Sequence, residues 1–61
     1  MPIVRVDMLE GRTLEQKRNM VKKVTEAIAE TLDAPKEGVS VVIRELKHEH
    51  LGIGGVLRYD V

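Results

Sequence analysis

One stretch constrains this chain more than any other. Thr13-Leu14-Glu15-Gln16 opens a long helix-period run that sits between two runs rich in β-branched residues. The tetrapeptide has the form of a capping box. The threonine oxygen accepts from the third helical N–H while the glutamine side chain reaches back to the cap's own N–H. Behind it, Met20, Val21, Val24, Ala27, Ile28, Thr31 and Leu32 recur at three-and-four spacing, which predicts a helix from about Leu14 to Leu32 with that stripe inward. Lys17, Arg18, Lys22, Lys23, Glu26 and Glu30 fall mostly elsewhere and read as its solvated face. Asp33-Ala34-Pro35 ends the run, because proline disfavours helical geometry in the residue before it.

The flanking runs read as strands. Ile3 to Leu9 (IVRVDML) alternates in part, with Val4, Val6 and Met8 sharing a face with Pro2, and Ile3, Arg5, Asp7 and Leu9 on the other. Glu10-Gly11-Arg12 turns the chain into the helix. After a turn ending at Gly38, Val39 to Glu45 (VSVVIRE) is nearly continuously apolar at its start, which predicts a strand covered on both faces. A strand, a long helix and a second strand make a parallel, right-handed β-α-β unit. The tail from Leu46 to Val61 holds Gly-Ile-Gly-Gly at Gly52 to Gly55, which predicts a small hairpin. Two strands alone are not stable in water, so the hairpin needs a neighbouring subunit to lie against.

Sixty-one residues make one domain, spanning 1–61. A chain of this size buries only roughly 60% of the surface its unfolded form exposes. With no cysteine, disulfides and thiolate metal sites are excluded, and self-association is the remaining way to recover the deficit. Ten basic and ten acidic residues cancel, so no basic stripe invites nucleic acid. No apolar run approaches the ~18 residues of a membrane span, and no signal-peptide pattern precedes the first strand. A cytoplasmic protein is the default.

Four features invite chemistry. His48-Glu49-His50 resembles a metal cluster but lacks the HExxH spacing that sets two histidines on one helical face, and it reads as a solvated loop. Gly52 to Gly55 lacks the Lys-Ser/Thr of a phosphate loop and opens no helix, so it reads as turn chemistry. Arg12 precedes the helix N-cap, where a planar guanidinium and free helix amides can grip a carboxylate together; the alternative is a surface arginine beside Glu10. Pro2 suits the first position of a strand, where its missing N–H breaks no ladder bond. If Met1 is removed, Pro2 also becomes a secondary amine, a base unlike anything a side chain supplies.

Taken together, Pro2 behind Met1, Leu9-Glu10-Gly11-Arg12, Glu15-Gln16-Lys17, Asp33-Ala34-Pro35 and Gly52 to Gly55 resemble the 4-oxalocrotonate tautomerase family over the whole chain. The resemblance implies an α+β fold of β-α-β protomers with a small C-terminal hairpin. Parallel strands would pair into four-stranded dimer sheets, and three dimers into a homohexamer. It implies a cofactor-independent isomerase whose N-terminal proline, here Pro2, is the general base for moving a proton in a 2-hydroxy-dienoate or enolpyruvate-type acid. Arg12 would bind the substrate's distal carboxylate, and the backbone N–H of Leu9 from a neighbouring subunit would polarise its oxygen. No metal is implied.

The physical requirements of that role can be stated. A general base works best with its pKa near the working pH, and a free secondary amine in water is mostly protonated there. Apolar neighbours such as Leu51 and Ile53 disfavour the cation by desolvation. An arginine at ~6 Å adds roughly 3 kcal/mol of repulsion at an effective dielectric of ~20, or about two pKa units. Two positions depart from the family pattern. Ser40 stands where family members carry a second, substrate-binding arginine, and Leu51 stands where an aromatic lines the pocket. Arg44, on the same strand face as Ser40, and Arg5, on the first strand, are the candidate stand-ins. Two further readings remain beside the tautomerase. One is a hydratase or dehalogenase of small unsaturated acids, with a cationic proline as acid; the other is a non-enzymatic oligomeric module whose site is vestigial.

Overall fold

The computed structural model describes residues 1–61 and builds the chain around one strand pair and one helix. Strand β1 (Ile3–Leu9) runs parallel to β2 (Ser40–Leu46), in a register that sets Ile3 against Ser40, Asp7 against Arg44 and Leu9 against Leu46. Helix α1 (Leu14–Leu32) makes the crossover between them. The capping box is complete: Gln16 N donates to Thr13 Oγ1 at 3.1 Å, and Thr13 N donates to Gln16 Oε1 at 2.9 Å. At the other end Asp33 adopts the left-handed region, with φ 51°, and its N–H donates to the Ala29 carbonyl. Asp33 therefore closes the helix, and Pro35 restricts only Ala34, which already lies beyond the cap.

The second strand lies one residue later than Val39 to Glu45. Val39 spends its N–H on the Lys36 carbonyl at 3.1 Å, closing a 3-10 turn, and so enters no ladder. At the far end Glu10 N donates to Leu46 O at 2.9 Å, which extends the pairing by one. The inward face of α1 is also rotated from the apolar stripe. Met20, Val21, Val24 and Ile28 are half-buried as expected, but Ala27, Thr31 and Leu32 are exposed, and Lys17, Thr25, Glu26 and Ala29 take sheltered positions. Lys17 earns its place through an ion pair, Nζ to Glu45 Oε1 at 2.5 Å, which ties the second turn of α1 to the end of β2.

Helix α1 covers one sheet face, where Val4, Val6, Met8, Val41 and Ile43 are half-buried. The other face is open: Ile3 is 58% and Val42 44% exposed. The expectation that β2 is covered on both faces thus fails within one chain, because nothing crosses the second face. Strands β3 (Gly52–Ile53) and β4 (Val56–Leu57) form the hairpin. Its two-residue turn places Gly54 and Gly55 at φ 60° and 85°, the pair of positive values a primed turn requires and L side chains resist.

Not one residue is fully buried. The chain exposes 4961 Å², against roughly 4000 Å² for a compact monomer of this length. Its radius of gyration is 14.6 Å, where about 10.5 Å is usual for a compact domain of this size. The fold is complete in its elements and short of a core.

Candidate functional site

The residues singled out from the sequence fall into two groups at opposite ends of β1. At the first end, Pro2 is half-buried, and its carbonyl accepts the Ser40 backbone N–H at 3.0 Å. The strand register fixes that contact, so Pro2 and Ser40 are neighbours. Met1 beyond them is 91% exposed. While Met1 is attached, the Pro2 nitrogen is an amide without a basic lone pair.

At the second end stand Leu9, Arg12 and Leu51. Gly11, at φ 125°, makes the turn that lets Arg12 leave the strand just ahead of the Thr13 cap. Arg12 lines a depression of about 260 Å³ with Met8, Gln16, Lys17 and Met20. Lys17 is neutralised there by Glu45, and Arg12 makes no ion pair, so its guanidinium is the free charge of this depression. Glu10 and Arg12 make no contact of ion-pair length, and both are exposed. Since the Glu10 N–H points to β2, strand alternation turns that of Leu9 toward the free edge of β1. Leu51 is half-buried after the His48–His50 turn, and its carbonyl accepts the Arg58 N–H at 2.8 Å, anchoring the hairpin that carries the 67% exposed Ile53.

Seven strand residues separate the two ends, or about 23 Å at ~3.3 Å per residue. One chain therefore cannot bring Pro2 to Arg12 and Leu9. Arg44 lies between them on the open sheet face, where its Nε donates to Asp7 Oδ1 at 2.8 Å. Arg5, on the same face, makes no ion pair. His48, Glu49 and His50 form an exposed 3-10 turn in which His50 Nε2 lies 4.0 Å from Glu49 Oε1. The Lys17–Glu45 and Asp7–Arg44 pairs were not anticipated from the sequence. The signal for both is the register: once Ile3 faces Ser40, Asp7 must face Arg44, and Glu45 must point to α1.

This β-α-β unit with its primed C-terminal hairpin, and with proline and arginine at opposite strand ends, defines a class. The family model for tautomerase enzymes matches residues 2–59, and the chain belongs to the tautomerase family. It is 54% identical over 55 residues to the 2-hydroxymuconate tautomerase of Bacillus subtilis, covering 90% of this chain and 89% of that one. Among solved structures, the crystal structure of a homologue of 4-oxalocrotonate tautomerase superposes with a TM-score of 0.94 at 50% identity, over 98% of each chain. A heterohexamer 4-oxalocrotonate tautomerase from Chloroflexus aurantiacus gives 0.94 at 33% identity, over 100% of this chain and 98% of its own. The chain is thus a tautomerase, an isomerase acting on small molecules.

Proposed function

We propose that this tautomerase converts 2-hydroxy-dienoate or enolpyruvate-type acids without a cofactor, using the Pro2 amine freed by removal of Met1 as general base. The observation that carries the reading is the ~23 Å strand separating Pro2 from Arg12 and the Leu9 N–H. Two copies paired antiparallel along the free β1 edge place the Pro2 of one beside the Leu9 and Arg12 of the other. The site is then composite and the protomer alone inactive. Three such dimers make the homohexamer, and they give the exposed hairpin, with Ile53, Val56 and Leu57, a surface to lie on.

In that site the amine of Pro2 takes a proton from the enol acid and returns it at carbon, so the product is an isomer and no atom is gained or lost. Arg12, with the amides that open α1, binds the distal carboxylate through its fork. The Leu9 N–H donates to the oxygen that gains charge as the proton leaves. Leu51 and Ile53 wall the site with apolar surface and hold the amine toward its neutral form. Ser40, beside Pro2, offers a hydroxyl where a cation would bind a second carboxylate, and Arg44 is engaged by Asp7. The natural substrate class is therefore the monocarboxylate enol more than the dicarboxylate.

The test is a keto–enol assay on protein whose intact mass is known. Preparations lacking Met1 convert phenylenolpyruvate-type and 2-hydroxy-dienoate acids. Preparations retaining Met1, or with the amine blocked, do not. Full activity with Met1 attached rejects the proline mechanism.

A further inference from the structure

Two half-buried methionines, Met8 and Met20, give the depression beside Arg12 its apolar lining, and Arg12, Gln16 and Lys17 give its polar lining. Lys17 is engaged by Glu45, and Arg12 has no ion partner. Gln16 is engaged at one end only. Its side-chain oxygen accepts the Thr13 N–H at 2.9 Å, and that bond decides which way round the amide sits. A backbone N–H can only donate, so the atom facing it is Oε1, and the NH2 group lies on the other side. That NH2 has no acceptor anywhere in the chain. The capping box therefore holds Gln16 by its oxygen and leaves Nε2 free in the lining of the depression.

A carboxylate on an apolar body suits such a lining. Its two oxygens offer about four acceptor positions, of which a bidentate arginine fills two. A second donor can then add to the grip of Arg12 without competing with it. An amide already anchored at its oxygen makes that bond with little further loss of side-chain freedom. The methionines would lie against the carbon skeleton.

We propose that Gln16 is a substrate-binding residue, its Nε2 donating to the carboxylate that Arg12 grips. The inference rests on the reading of Arg12 as the carboxylate-binding residue and adds a second donor to it. A carboxylate remote from the migrating proton keeps its charge throughout the reaction. The bond is therefore equally strong before and during proton transfer, so it lowers KM and leaves kcat almost unchanged.

Steady-state kinetics on Met1-free protein, with denaturant midpoints measured beside them, test it. Glutamate closes a capping box as glutamine does, so Gln16→Glu keeps the midpoint. It replaces the donor by a carboxylate oxygen, and KM for an enol acid rises about tenfold or more. Gln16→Met removes the donor without adding charge; KM rises about tenfold while kcat stays within about twofold. Thr13→Ala breaks the same capping box but leaves Nε2 in place, so it lowers the midpoint and does not raise KM. A role confined to capping gives another pattern, in which Gln16→Met and Thr13→Ala lose stability and no variant changes KM. An unchanged KM in Gln16→Glu or Gln16→Met, or an equal rise in Thr13→Ala, overturns the inference. Should Gln16→Met fail to fold, the Gln16→Glu result decides. If the Met1-free original chain converts no enol acid, the proposed function falls and this inference with it. If Arg12→Ala raises KM and the Gln16 variants do not, only this inference falls.

Discussion

Two residues, Pro2 and Ser40, define the chemistry expected at one end of the site, and the bond between them (Ser40 N to Pro2 O, 3.0 Å) keeps them adjacent. A proline working as base must be neutral in the free enzyme. The rate should therefore fall as pH drops through the amine's pKa, and a fall on the alkaline side instead would identify an acid-type proline. The pH profile of kcat/KM on an enol acid separates the two. Ser40 governs a second prediction. A hydrogen bond to a charged group contributes about 1.5–3 kcal/mol against roughly 0.5–1.5 for a neutral one, so replacing a cation by a hydroxyl costs ~1–2 kcal/mol, on the order of tenfold in rate or affinity. Ser40→Arg should then raise the dicarboxylate-to-monocarboxylate ratio of kcat/KM about tenfold, while Arg12→Ala raises KM for both classes. An unchanged ratio in Ser40→Arg means another cation already fills the role.

At the scale of elements, the two ion pairs of α1 make opposite predictions. Arg18–Glu15 is solvated, its side chains 64% and 70% exposed, whereas Lys17–Glu45 lies at 23% and 34% and joins helix to sheet. Arg18→Met should leave stability within about 0.5 kcal/mol. Lys17→Met should cost about 1 kcal/mol or more, because Glu45 loses its one partner. Thr13→Ala, which breaks the capping box, should also cost about 1 kcal/mol. Denaturant midpoints at one fixed protein concentration would measure all three. The capping box was legible because it is a local signal over four residues. So was the hairpin, where only glycines relieve two successive positive φ angles. The strand boundary slipped by one because the bond that removes Val39 from the ladder belongs to the turn before it, and periodicity is blind to that. Lys17 was misread as surface because its shelter depends on Glu45, 28 residues away. The opposite-end placement of Pro2 and Arg12 was open to reading from the length of β1 alone. Their roles came from resemblance to a family, since no spacing in the chain brings them together.

The whole molecule makes the strongest prediction. A β-α-β unit with one sheet face bare, an apolar hairpin projecting and no residue buried lacks the interior that holds a monomer together. Hydrophobic burial at roughly 25 cal/mol per Å² must offset an ordering cost of about 1–2 kcal/mol per residue for the backbone alone. For a chain this small and extended, the offset must come from surface shared between copies. Folding and association should accordingly be one event, with apparent stability rising with protein concentration. Light scattering at micromolar concentration should report a hexamer. Dilution should lose helical circular dichroism and activity together, with no folded monomer between. A monomer that persists at high dilution and still unfolds cooperatively would show that the chain finds enough burial alone. It would also leave Pro2 and Arg12 at opposite ends of one strand, with no composite site for the reaction.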